Sequence, residues 1–198
     1  MTGPTVVLAS GSAVRFELLK NAGVNVRRYV SDFDEGVLKA KAALEGWPAK
    51  RLALHLAEAK AGTFGDEEGA LVIGADQLLE CDGTLYDKPK NQSDAKQQLM
   101  RLAGKDHHLI SAVAILQNKQ TVFTHVEQVT MTMRDMDEEV IGAYLSTMQN
   151  EVLETVGCYK LEGLGAQLME KIEGDYFSVL GLPLLPVLSF LRQSGALI

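Results

Sequence analysis

A chain of 198 residues, 46% hydrophobic and 23% charged, has the balance of a globular protein able to bury one substantial core or two tightly joined lobes, and it reads as a single domain over 1–198. No basic region followed by an apolar stretch opens the chain, and no apolar run nears the roughly 20 residues that cross a bilayer, so a cytoplasmic location is the expectation. A net charge of −7 weighs against a broad nucleic-acid or membrane-binding face, and the two cysteines, Cys81 and Cys158, lack metal-ligand spacing and read as reduced packing thiols.

The elements alternate in kind along the chain. Val6-Val7-Leu8-Ala9 is an apolar strand that runs through Ser10-Gly11-Ser12 into a helix over 13–22 carrying Arg15. Backbone N–H groups at such a turn, the positive end of the helix dipole, and Ser10, Ser12 and Arg15 together suit an anion, of which phosphate is the natural example. The same Ser and Gly residues also serve as an ordinary N-cap and turn. Val14, Leu18 and Ala22 fall on one stripe of this helix, and Gly23 is placed to end it. A second strand near 26–30 leads into the acidic loop Ser31-Asp32-Phe33-Asp34-Glu35. Pro48 opens a helix with Leu52, Leu56 and Ala59 at helical spacing, Lys60 near its end and Gly62 closing it.

Residues 70–74 have the unbroken apolar character of a buried strand, with Asp76-Gln77 following at its C-terminal end, where open α/β sheets bind ligands. Asp82-Gly83 marks a tight turn ahead of Lys88-Pro89, and Ser93 is placed to cap a helix running to about Leu102 with Gly104 beyond. Residues 108–116 and 121–133 form a hairpin about Gln117-Asn118-Lys119-Gln120. Asp137 caps a helix carrying Ile141, Tyr144, Leu145 and Met148; residues 159–173 read as extended segments kinked at Gly163 and Gly165; a last helix spans about 183–193. This order gives an α/β fold.

Several motifs, in this order, resemble the Maf family of nucleoside triphosphate pyrophosphatases, whose members are also called septum formation inhibitors. They are Leu8-Ala9-Ser10-Gly11-Ser12-Ala13-Val14-Arg15, Asp34-Glu35, Lys60-Ala61, Gly74-Ala75-Asp76-Gln77, Lys88-Pro89, and Gly174-Asp175-Tyr176 through Gly181-Leu182-Pro183. The resemblance covers essentially the whole chain. It implies an elongated, two-lobed Maf/ITPase-like fold, a strongly twisted mixed sheet flanked by helices with an active cleft between the lobes. There are departures. The family's opening usually has a proline and two arginines where this chain has Ala13, Val14 and Arg15. Asp87 stands where a glycine usually precedes Lys-Pro, and Ser111-Ala112 stand where Thr-Gly is common.

Cleaving the anhydride between the α and β phosphates needs charge neutralisation, an in-line water and a hard cation bridging phosphate oxygens. Mg²⁺, Mn²⁺ or Co²⁺ would serve, held by one or two carboxylates together with waters and phosphates. Glu35 and Asp76 are the acids best placed, each read as lying in a loop that leaves a strand, and the resemblance assigns both to one cleft. Asp76 is the candidate metal ligand and water activator, and Glu35 the second metal or water-orienting group. Their plain alternatives are a turn cap and a solvated loop acid. Lys60 and Lys88 become phosphate clamps, or else surface lysines. Gln77 would hold the water or contact the base; some Maf proteins have Thr there, and the Gln form resembles the branch acting on methylated guanosine triphosphate. His107-His108 point to opposite faces of a strand, and His55 and His125 lie at no ligand spacing, so no histidine metal site is expected. Met131, Met133 and Met136 read as core filling, and Tyr159 and Lys160 as either cleft or strand residues. The resemblance therefore implies an enzyme cleaving triphosphates, modified ones included, to monophosphate and diphosphate, with a nucleotide as partner. A nucleotide-binding regulator of septum formation with little catalysis is the alternative. A homodimer is the assembly left open.

Overall fold

The structure, a computed structural model, describes residues 3–65 and 67–197. Among these residues the strands are β1 (Val6–Ala9), β2 (Val26–Tyr29), β3 (Leu71–Cys81), β4 (Thr84–Tyr86), β5 (Asp106–Gln117), β6 (Gln120–Met133) and β7 (Met169–Glu173). The helices are α1 (Ala13–Asn21), α2 (Glu35–Glu45), α3 (Ala49–Gly62), α4 (Gln92–Leu102), α5 (Glu138–Met148), the single turn α6 (Tyr176–Val179) and α7 (Leu184–Gln193). The strands form one mixed, open sheet in the order β2-β1-β3-β5-β6-β7, with β4 paired to β3. β1 runs parallel to both β2 and β3, Val6 pairing with Val26 on one side and Leu71 on the other. Parallel neighbours need helical crossovers, and α1 supplies the one between β1 and β2. The helices flank the sheet, as an α/β fold requires.

Contacts divide the chain into two compact units. The first takes the chain up to Gln77, Ser111–Glu127 and the chain from Asp175; the second takes Leu78–Ile110 and Gln128–Gly174. In the first, Val6, Leu8, Ile73, Ala75, Val113 and Ile115 of the sheet pack with Leu19 of α1 and Leu184, Val187 and Leu191 of α7. Strand side chains alternate between faces, so Val72, Gly74 and Asp76 lie opposite Ile73, Ala75 and Gln77. On that opposite face α3 buries Leu52, Ala53, Leu56, Ala57 and Ala61. In the second unit α4 packs on α5, and Met131, Met133 and Met136 are buried, as core filling demands. Cys81 and Cys158 are free and buried. No described helix is long and apolar enough to cross a membrane.

Most elements fall where the local signals place them: Ser12 and Asp137 cap α1 and α5, and Asn118 and Lys119, both at positive φ, turn the β5–β6 hairpin. Several do not. The buried anchor of α1 is Leu19, with Leu18 and Ala22 only partly covered. Asn91 rather than Ser93 caps α4, accepting from the Asp94 N–H at 2.9 Å. Helix α2 occupies residues not assigned to any element: Asp34 caps it, accepting from the Gly36 N–H, and Gly46 ends it at φ 63°. Residues 159–173 hold a 3₁₀ turn over Leu164–Leu168 before β7.

Gly74 governs how closely α3 approaches the sheet. A Cβ there would lie 2.0 Å from the Ala57 carbonyl oxygen and 2.8 Å from the Ala61 nitrogen, so helix backbone rests directly on strand backbone. Backbone cannot yield as a side-chain tip does. Gly74→Ala is expected to cost at least the 1–3 kcal/mol of an overpacked core, lowering Tm by about 2–4 °C per kcal/mol in a chain of this length. Gly62→Ala, where a Cβ meets nothing within 4 Å, should leave Tm unchanged or slightly raised, and paired thermal melts check both.

Candidate active site

The turn between β1 and α1 is tightly braced. Ser10 is buried; its Oγ accepts from the Ser12 N–H at 3.2 Å and from Arg15 Nη1 at 3.3 Å. Ser12 caps the helix by accepting from the Arg15 N–H. The Arg15 side chain turns inward, donating from Nε to the Gly181 carbonyl at 2.7 Å and from Nη1 to the Ala75 carbonyl at 2.8 Å. It thus ties the turn to β3 and to the segment after α6 while leaving its charge beside the carboxylates. From β2, Arg28 donates to the carbonyls of Ser10 and Gly11. Sequence reasoning did not single out Arg28, whose position on a neighbouring strand shows its reach only once β2 and β1 pair.

Close packing at Gly74 brings α3 against the Asp76 face of β3, and Lys60 is the result. Its Nζ lies 2.5 Å from Asp76 Oδ1 and 2.6 Å from Glu35 Oε1, joining acids from a strand and a helix. Lys39, one turn along α2, sits 3.0 Å from Glu35 Oε2. Lys39 was missed because α2 was missed; once that helix is placed, the i,i+4 spacing from Glu35 makes the pair legible. Asp76 is 5% exposed, and its Oδ2 is buried with no hydrogen-bond partner among the described residues.

Both acids differ in setting from their expected places. Asp76 lies inside β3 rather than in a loop beyond it, because Leu78–Cys81 continue the strand to the Asp82-Gly83 turn and pair with β4. Glu35 is the first residue of α2, where the helix dipole favours a carboxylate. Gln77 faces away from Asp76. Its Nε2 donates toward Ser111 Oγ at 3.0 Å and the carbonyls of Ser178 and Val179 at 2.9 and 3.0 Å, while Ser111 Oγ donates to the Ser178 carbonyl. Carbonyls only accept, so the amide nitrogen is the end facing them. Asp175 caps α6, accepting from the Ser178 N–H and hydroxyl. Ser10, Ser12, Arg15, Glu35, Lys60, Asp76 and Gln77 thus all belong to the first unit. Lys88 belongs to the second, exposed on the loop between β4 and α4. There also lie His107, buried and bonded through Nε2 to the Tyr159 hydroxyl at 2.7 Å, and His108, which meets Thr130. Tyr159 follows a 3₁₀ turn rather than lying in a strand, and Lys160 pairs with Glu151 and Glu154.

Electrostatics separate the two acids. Burial raises the proton affinity of Asp76, and the charges of Lys60 and Arg15 offset this only in part. Burial acts in the same direction on Glu35, but hydrogen bonds and charge from Lys60 and Lys39 outweigh it and hold Glu35 below its ordinary range. No group of three or more His, Cys, Asp or Glu residues able to hold a metal ion occurs among the described residues. The donor set is therefore two carboxylates, which suits a hard divalent ion whose remaining positions come from water and phosphate, and the buried Asp76 Oδ2, without a partner among the described residues, is an oxygen such an ion could take.

The fold is thus a mixed-sheet α/β protein in which a lysine bridges two carboxylates and a braced turn opens α1. The chain belongs to the Maf-like protein family, whose model matches residues 5–194. It is 42% identical over 193 residues to a nucleoside triphosphate pyrophosphatase of Paramagnetospirillum magneticum, covering 97% of this chain and 100% of that one. It is 43% identical to a 7-methyl-GTP pyrophosphatase of Brucella abortus, covering 95% of each chain, and 41% identical to one from Rhizobium meliloti, covering 98% of each.

The opposite shifts predict opposite effects of neutralisation. A raised folded value means the contribution of Asp76 to stability is fully present below its unfolded pKa of about 4 and is lost as pH rises through the folded value. A lowered one means Glu35 stabilises above its unfolded pKa and loses this as pH falls through the folded value. At pH 7, Asp76→Asn is expected to keep or raise Tm, and Glu35→Gln to lower it. Melting curves of the two variants at pH 7 decide.

Proposed function

We propose that this protein hydrolyses nucleoside triphosphates between the α and β phosphates, releasing nucleoside monophosphate and diphosphate, and that the whole chain serves this one reaction in the cytoplasm. The observation that carries the reading is the carboxylate pair bridged by Lys60, with one buried oxygen of Asp76 left without a partner. A protein that only bound nucleotides would have no use for a buried acid of raised proton affinity beside its lysines, so the catalytic reading is preferred to the regulator of septum formation. The family membership and the pyrophosphatase names of the relatives support it.

Asp76 and Glu35 would hold a divalent cation, Mg²⁺, Mn²⁺ or Co²⁺, which when bound neutralises charge on the phosphate oxygens. The remaining work falls to the chain. The turn at Ser10 and Ser12, with the positive end of α1, accepts a phosphate group, and Lys60 clamps another. Arg15 holds the turn against β3 and adds positive charge behind it. Asp76, whose burial raises its proton affinity, takes a proton from the attacking water as its oxygen bonds to phosphorus and the diphosphate leaves. Glu35 orients that water. Gln77 acts by fixing the carbonyls of Ser178 and Val179 on the far face of β3, and Lys88 stands as a second clamp on the resemblance alone.

Diphosphate release from a panel of canonical and methylated triphosphates tests the proposal, with 7-methyl-GTP included because relatives named for it include those of Brucella abortus and Rhizobium meliloti. Turnover should vanish in excess EDTA and return with added metal. Asp76→Asn, with its melt unchanged, should lose about 10²–10⁴-fold in rate. Lys60→Ala and Lys88→Ala should each cost about 1.5–3 kcal/mol in kcat/KM, the scale of a charge-assisted bond to phosphate. Full turnover in EDTA, or an Asp76→Asn rate above about a tenth of wild type, contradicts this mechanism.

A further inference from the structure

Three of the four oxygens of the Glu35–Asp76 pair are already held by ammonium groups: Lys60 takes Asp76 Oδ1 and Glu35 Oε1, and Lys39 takes Glu35 Oε2. The fourth, Asp76 Oδ2, is buried and has no partner among the described residues. Each carboxylate thus already carries an ammonium, with the buried Arg15 guanidinium adding positive charge nearby. A dication arriving alone meets carboxylates that lysines already counter. Beyond Asp76 Oδ2, it can take the carboxylate oxygens only by displacing an ammonium from its acid, which is costly. A triphosphate arriving alone meets the carboxylates.

We propose that Lys60 and Lys39 are resident counter-ions of the carboxylate pair, that a divalent cation displaces them, and that the displaced ammoniums move onto the triphosphate. Cation and triphosphate then bind with mutual reinforcement, each supplying the counter-charge the other uncovers. Lys39 becomes a further phosphate-binding residue of the site. This rests on the metal-assisted reading above. Its side chain is about one-third exposed and carried on the first turns of a helix, so it has room to leave Glu35, whereas Lys60 is 15% exposed and tied to both acids. Coupling of this kind is reciprocal by linkage and typically runs from about five- to 150-fold.

The test is Mn²⁺ binding to the full chain without nucleotide, read from the free-ion signal in electron paramagnetic resonance. Lys60→Met removes the bridging ammonium, so Mn²⁺ alone should bind it about tenfold or more tightly than wild type, and Lys60→Met/Asp76→Asn should lose that gain. Lys39→Met should show a smaller gain in the same direction, which keeps the inference open to refutation should Lys60→Met fail to melt cooperatively. Affinity for an α,β-methylene triphosphate is then measured with and without Mn²⁺. The ion binds the analogue in solution identically for every variant, so a smaller Mn²⁺ enhancement in Lys60→Met than in wild type isolates the protein's share of the coupling. Lysine variants that bind Mn²⁺ alone no more tightly than wild type, or a gain that survives Asp76→Asn, overturn the inference. If wild type still turns over triphosphate with metal, the function stands while the inference falls; if it neither binds Mn²⁺ nor hydrolyses any triphosphate, both fall together.

Discussion

Everything at the site depends on the contact of helix α3 with strand β3 at Gly74, where no side chain separates the two backbones. Asp76 lies two residues further on the same face of the strand, and Lys60 precedes by one residue the alanine that touches Gly74. That proximity, rather than long-range attraction, delivers the Lys60 ammonium to Asp76. A wider spacing, such as any larger residue at 74 would impose, moves the lysine off both acids. The pleat of the strand then sends Gln77 to the other face, where its amide grips α6. One strand thus carries the lysine-bound acid on one face and a bracing amide on the other.

The electrostatic design follows from that geometry. Burying Asp76 is unfavourable for its charged form, and Lys60 and Arg15 offset this only in part, so the acid keeps a raised affinity for protons. Glu35, reached by two lysines and placed at a helix N-terminus, is the better satisfied of the two. A chain with net charge −7 gathers Arg15, Arg28, Lys39 and Lys60 around the β1–α1 turn and the carboxylate pair, a local reversal of its overall field. An acid held buried with a raised proton affinity costs stability, an exchange common where residues serve function rather than packing.

The departures from the family's opening acquire a physical setting here. Val14 leaves one arginine fewer in the turn, and Arg28 reaches the same turn from β2, gripping the carbonyls of Ser10 and Gly11. Ser111 and Gln77 form one hydrogen-bonded group with Ser178, so residues that a reading of motifs treats separately act as one brace beneath α6.

What the sequence determined by itself was local. Apolar runs marked β1 and the start of β3, Asp82-Gly83 and Asn118-Lys119 marked turns, and Ser12 and Asp137 marked helix starts, because propensity, capping and turn chemistry act over a few residues. The motif order also named Glu35, Lys60 and Asp76 as one group. It did not show that Asp76 sits within a strand, since a continuing strand and a loop after a strand differ only in a later pairing with β4. It missed α2, and with it Lys39, because Gly36 and the acids around it resemble a loop until Asp34 is seen capping a helix. The inward turn of Arg15 and the direction of Gln77 were equally out of reach. Those were decided by tertiary structure, because the carbonyls of Ala75, Ser178 and Gly181 become their partners only when segments far apart in the chain are packed together.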